Sequence, residues 1–258
     1  MTTPRGHSLR RLTLLVLVSL AALQLYFVAR IALMAVVDPQ STTFQRSEAW
    51  RLALAPRERG WHQQWTDYRA ISANLKRAVV AAEDSGFTEH SGVEWDALEK
   101  AWDKNERADA IAGQAAQRLQ RRDAKGASRA ATTTVPKVVG GSTITQQLAK
   151  NLFLSGERNF VRKGQELVLS YLLEEILGKR RILEIYLNDV EWGEGVFGAG
   201  AAARRYFGVG AGDLSAPQAA QLAVMLPAPK RFEKRPGSAY VVGRAATIIA
   251  RMSHVDVP

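Results

Sequence analysis

Eighteen residues from Leu12 to Ala29 are apolar except for Thr13, Ser19 and Gln24, and they constrain the architecture more than any other stretch. As a helix they span about 27 Å, close to the roughly 30 Å of a bilayer core. The run closes at Arg30 and resumes as Ile31 to Val37, so Arg30 is expected to snorkel to the far interface. Arg5, Arg10 and Arg11 precede it, and positive residues stay cytoplasmic. This predicts a cytoplasmic N-terminus over residues 1–11, an anchor over 12–37, and a body over 38–258 outside the cytoplasm. A cleaved signal peptide is the alternative, although the stretch is long for one.

Composition narrows what the body can do. The 258 residues carry 35 Lys and Arg against 25 Asp and Glu, a formal charge of +10, which favours anionic partners. Cysteine is absent, excluding disulfides, thiolate metal sites and a cysteine nucleophile. Four histidines leave little material for a multi-histidine metal cage. With 47% hydrophobic residues, the chain can bury a sizeable core as one large domain or two small ones.

Beyond the anchor the pattern is helical, with almost no strand signal. Residues 38–69 read as loop with short helical pieces. Ser72 is placed to cap a helix through Leu75, Ala78, Val79 and Ala82, and a second helix is expected over Glu94–Trp102. Residues 104–137 change character: they are Ala-rich and carry eight Lys or Arg against three Asp or Glu. Helices then return at Thr143–Leu152, Phe160–Leu177, Arg181–Asn188, after the capping box Ser215–Gln218, and at Tyr240–Met252. The fold class is mainly α.

Several clusters could carry chemistry, and each has a plainer reading. Glu83 and Asp84 stand side by side at a helix end, where Coulomb tension can tune a general base; alternatively Asp84 caps a turn. Gly140-Gly141-Ser142-Thr143 opens a helix that carries Lys150, a candidate anion site or simply a capped amphipathic helix. Arg162 and Glu166 are spaced as an ordinary i,i+4 ion pair. The segment Lys179–Asn188 reads as core packing, with Glu184 structural. Gly193–Gly198 fits G-x-G-x-x-G, but a helical pattern precedes it and no βαβ unit surrounds it, so a dinucleotide site is rejected.

Taken in order these clusters spell E-D-x-x-F-x-x-H-x-G (Glu83–Gly92), G-S-T-I-T-Q-Q-x-x-K-N (Gly141–Asn151), R-K-x-x-E (Arg162–Glu166) and K-x-x-I-L-E-x-Y-L-N (Lys179–Asn188). The set, over roughly residues 70–230, resembles the peptidoglycan glycosyltransferase family, and within it the monofunctional members with one anchor and one domain. The S-x-x-K and K-T-G motifs of a transpeptidase are not found. The resemblance implies a lysozyme-like, mainly helical fold with a smaller membrane-facing lobe. It implies inverting β-1,4 transfer of a growing glycan from a lipid pyrophosphate to a lipid-linked GlcNAc-MurNAc acceptor. Glu83 falls on the general base, and Lys150 and Arg162 on the positions that bind the donor pyrophosphate. Glu166 falls on the second family carboxylate, which acts through a divalent cation (Mg or Mn) or by ordering the cations. Asp84, Ser142, Thr143, Gln146, Gln147 and Asn151 fall on positions lining the cleft. The implied partners are the lipid-linked precursor, the growing strand, the membrane and cell-wall synthesis proteins, with no nucleotide and no nucleic acid. The implied location is the inner (cytoplasmic) membrane, single-pass, with the catalytic domain on the periplasmic side.

One departure stands out: residues 105–139 add a basic, Ala-rich insertion between the first two motifs. It either rests on lipid headgroups or forms a tolerated surface loop. A glycan-cleaving enzyme on the same scaffold and a silent membrane-tethered scaffold are the competing readings. The first would not need the Lys150 and Arg162 cradle; the second would not need Glu83 and Glu166 together.

Overall fold

A computed structural model of the chain describes residues 5–54, 60–96, 141–154 and 160–258, together with residues 99, 100, 103 and 107. All of the basic insertion except residue 107 lies outside the described residues, as do residues 97, 98, 101 and 102 of the helix expected over Glu94–Trp102.

Helix α1 runs Arg5–Met34. Within it, Arg10–Met34 is long and apolar enough to cross a membrane. Its N-terminal part exposes Leu12, Leu14, Leu15 and Leu17, but Phe27, Ile31 and Met34 are buried against the body. Helix α2 (Thr43–Ala53) follows, opened by a capping box between Thr42 and Gln45. Strand β1 (His62–Gln63) and a 3-10 turn at Tyr68–Ala70 lead into α3 (Ala73–Glu83), whose N-cap is Ser72 as the sequence predicts.

Helix α4 (Ile144–Phe153) begins after the N-cap Thr143 and packs along α5 (Phe160–Asp189). The two helices expected at Phe160–Leu177 and Arg181–Asn188 are two arms of α5, divided at Gly178. There φ is 70°, a left-handed value at which any other residue is strained. Helix α1 rests on the first arm: Gln24 and Gln165 exchange side-chain amide hydrogen bonds at 3.0 and 3.3 Å, and the Phe27 and Phe153 rings meet edge to face. From the second arm, Arg181 holds the end of α1 by donating to the Met34 carbonyl and pairing with Asp38 at 2.7 Å.

After α5 the chain forms a small sheet where the sequence shows little strand pattern. Strands β2 (Glu191–Gly193) and β3 (Val196–Phe197) pair antiparallel, and β1 adds to β3 in parallel, giving the order β1-β3-β2. The Gly193–Gly198 segment is therefore a hairpin with its outgoing strand, not a phosphate loop. These strands are two or three residues long, too short to show alternation.

Helices α6 (Ala199–Phe207), α7 (Ala216–Met225), α8 (Pro229–Phe232) and α9 (Ala239–Arg251) complete the body. The box Ser215–Gln218 caps α7 as expected. Helices α3, α7 and α9 pack together, and α4 packs on α5, so the core is helix on helix. Trp192, Tyr186, Phe87, Leu75, Leu148 and Leu169 are among its fully buried side chains. Glu184 is structural, as read: it accepts from the Tyr68 amide and from Arg181, both at 2.7 Å.

Candidate active site

Glu83 is the last residue of α3, and the chain turns sharply at Asp84 (φ −163°, ψ 75°). The neighbouring carboxylates therefore take different tasks. Asp84 is 4% exposed and fully engaged: Oδ1 is 2.9 Å from His90 Nε2 and Oδ2 accepts from the Ile144 amide at 2.9 Å. His90 Nδ1 accepts from the Gly92 amide, which fixes Nε2–H as the donor to Asp84. Thr143 caps α4, accepting from the Gln146 amide and donating to the Gly92 carbonyl at 2.6 Å. Asp84, Thr143 and Gln146 thus fasten the first motif to the start of α4, where a negative charge also meets the positive end of the helix dipole. Ser142 is half-buried just before the cap.

Glu83 is left facing the cleft. Its Oε2 accepts from Gln147 Nε2 at 2.9 Å, and Gln147 Oε1 accepts from the buried Tyr186 hydroxyl at 3.0 Å. Burial raises the Glu83 pKa above 4.5 and the Asp84 charge adds to it, while the Gln147 hydrogen bond and Lys150 oppose. Its carboxylate is therefore a stronger base than a solvated one. The same burial lifts Tyr186 well above 10, keeping its hydroxyl a donor.

Two cavities, each about 420 Å³, meet at Pro227. One is lined by Glu83 with Arg231, Arg244 and Arg251. The other is lined by Gln147, Lys150, Asn151 and Arg162, and also by Phe44 and Glu191. The hydrogen bond from Gln147 to Glu83 bridges the two sets. Glu166 is 4% exposed, and both its oxygens face cations: Arg162 Nη1 at 3.3 Å and Lys163 Nζ. The spacing of Arg162 and Glu166 suggested a surface pair; the structure buries its carboxylate. The Lys150 side chain reaches solvent, yet crowding around its ammonium lowers its pKa; Arg162 and Lys163 add to this and Glu166 opposes it.

Sequence reasoning passed over several of these residues. Tyr186 read as core packing, which it also does. Arg244 and Arg251 lie seven residues apart on one face of α9, a signal visible in the sequence, and Arg231 comes from the short α8. Glu191 lies in β2, an element too short to announce itself.

This two-sided cleft is carried by a chain whose residues 52–117 and 121–253 match the family described as Transglycosylase. The chain belongs to the transglycosylase family. It is similar to the biosynthetic peptidoglycan transglycosylase of Burkholderia thailandensis, at 48% identity over 92% of this chain and 82% of the relative. The protein of that name from Herminiimonas arsenicoxydans is 47% identical over 92% of this chain and 91% of its own length. The one from Bordetella pertussis is 48% identical over 91% and 88%. The expected enzyme class is borne out: this transglycosylase is a glycosyltransferase with a mainly helical fold and, among the described residues, one candidate membrane helix.

Proposed function

We propose that this transglycosylase polymerises peptidoglycan glycan strands from the lipid-linked disaccharide-peptide precursor, lipid II, on the outer face of the cytoplasmic membrane. The observation that carries the reading is the position of Glu83. It lines one cavity and accepts a hydrogen bond from Gln147, which lines the other, and each cavity brings cations to bear, as a reaction between two lipid pyrophosphates requires.

The donor pyrophosphate lies by Lys150 and Arg162, and the acceptor enters by Arg231, Arg244 and Arg251. Glu83 accepts the proton of the acceptor 4-hydroxyl as that oxygen attacks the donor anomeric carbon. The bond from this carbon to the pyrophosphate breaks, the configuration inverts from α to β, and the lipid pyrophosphate departs. Lys150 and Arg162 meet the charge that develops on it, and Glu166 orders Arg162 and Lys163. Asn151 lines the donor-side cavity beside Lys150.

Among the described residues no three His, Asp or Glu side chains converge on a metal site. Glu166 is surrounded by cations, a poor fit for an ion held by protein alone. A Mg or Mn ion at the donor would be carried mainly by the substrate's own phosphates, and no step is routed through it. The apolar Arg10–Met34 helix supports a single-pass anchor, and Arg5, Arg10 and Arg11 favour a periplasmic catalytic domain. No nucleotide enters the reaction, since the lipid pyrophosphate is the leaving group. Cell-wall synthesis proteins are the natural partners of such an anchored enzyme.

The test is to mix detergent-solubilised protein with labelled lipid II. High-molecular-weight product that a muramidase digests is expected. Precursor left unconsumed, with lipid and divalent cation supplied, would contradict the reading.

A further inference from the structure

The small sheet has two edges, and only one is accounted for. At the β2 edge, Glu191 lines the donor-side cavity. At the opposite edge, β1 borders a second groove of about 390 Å³, between Trp61 to Gln64 on one wall and Ala201, Arg204 and Arg205 on the other. Two strand spacings, about 10 Å, separate the edges.

The groove is preformed. The Asn188 side chain holds the Trp61 wall, donating to the Thr66 carbonyl at 2.9 Å and accepting from the Thr66 amide at 2.7 Å. Gly200 lets α6 lie against that wall; a Cβ there would come within 2.8 Å of Thr66 Oγ1. Ala201, Arg204 and Arg205 then follow at i, i+3 and i+4 on one face of α6, the alanine keeping the floor low.

Its chemistry is that of an anionic saccharide site. The Trp61 ring lies 4.5 Å, centroid to centroid, from Phe197, yet Trp61 is 39% exposed, leaving ring surface for a ligand. Its Nε1 donates to Gln63 Oε1 at 3.3 Å, which leaves the Gln63 amide nitrogen to donate outward. His62 and Gln64 add exposed polar groups. Arg204 and Arg205 are exposed and form no ion pair among the described residues.

We propose that this groove is a remote subsite for the glycan strand just made, with Trp61 stacking on a sugar ring and Arg204 and Arg205 receiving carboxylates of its peptide branches. The inference rests on the polymerase reading above. A strand retained there would hold the growing end near the donor cavity after each transfer, so the groove sets strand length rather than chemical rate. An acidic protein would satisfy the arginines but has less use for a half-exposed indole flanked by amides.

The test compares wild type with Trp61→Ala and with Arg204→Glu/Arg205→Glu, all full-length in detergent; Trp61→Phe and the double Lys variant control for folding. Each is assayed for initial lipid II consumption, for product length on gels, and for binding of lipid-free, uncrosslinked strands, of anionic vesicles and of an acidic protein. The disruptive variants are expected to consume precursor within about twofold of wild type, while strand binding falls about 30-fold, the scale of one lost hot-spot contact. Their products shorten severalfold, and the conservative variants stay near wild type. Unchanged length and strand binding would overturn the proposal, as would a loss confined to vesicle or acidic-protein binding. If wild type made no polymer, the underlying reading would fail, and strand binding would still test the groove by itself.

Discussion

Gln147 donates to Glu83 from one end of its side-chain amide and accepts from Tyr186 at the other, at 2.9 and 3.0 Å. The carboxylate is thus aimed by a buried core hydroxyl through one intermediary. Gln147→Leu keeps the bulk and removes the link. It is expected to lower kcat by about 10- to 100-fold, the usual cost of a misplaced catalytic group, with a smaller change in KM. Tyr186→Phe removes only the outer hydrogen bond and should cost about 1 kcal/mol of barrier, roughly fivefold in kcat. Steady-state kinetics on labelled precursor separates the two.

The pH profile carries the same signature. Glu83 has its pKa raised by burial, so the rate should fall on acidification at a pH above the ordinary carboxylate value of 4.5. Gln147 holds that pKa down, so in Gln147→Leu the acidic limb should move to still higher pH. A limb that stays put would separate Gln147 from the base.

Stability responds to pH through a different carboxylate. Burial raises Asp189 from 3.8 to about 8, with Arg181 and a Gln45 hydrogen bond opposing. Because the folded pKa lies above the unfolded one, the unfolded chain loses this proton first as pH rises. The stabilisation is therefore fully present below about pH 4 and is lost progressively towards about 8. Asp189→Asn mimics the neutral form and should flatten the dependence of Tm on pH across that window. It should also melt higher than wild type at the alkaline end, which scanning calorimetry reads directly.

Asp84 makes a contrasting prediction. Its oxygens join His90 to the first amide of α4, and both partners would be stranded by Asp84→Ala. The cost should be on the order of 3 kcal/mol in urea unfolding, two charge-assisted hydrogen bonds less what water recovers. Asp84→Asn keeps one acceptor and should lose less.

Much of this was legible in the sequence for a physical reason. Caps and amphipathic spacing are local, so Ser72, Thr143 and Ser215 announced their helices, and Gly178 lies in the expected gap between the two arms of α5. Glu83, Lys150, Arg162 and Glu166 stand out as candidates in the sequence because their motifs are contiguous. What escaped depends on contacts between distant segments. Tyr186 reaches Gln147 from 39 residues away, Arg244 and Arg251 meet Glu83 only once α9 packs beside α3, and β1 pairs with a strand more than 130 residues later. The docking of Gln24 on Gln165 belongs to the same class: a polar residue in an apolar run, explained by a partner 141 positions on.

The central claim is that Glu83 removes the proton from the acceptor hydroxyl. Its most direct test sets wild type beside Glu83→Gln, an isosteric change that keeps a side-chain oxygen to accept from Gln147. Both are given labelled lipid II, and polymer is measured alongside binding of the precursor. The account predicts that Glu83→Gln binds precursor about as well as wild type while its polymerisation falls by roughly 10²–10⁴-fold. Polymer made by both proteins at similar rates would remove Glu83 from its role and contradict the mechanism.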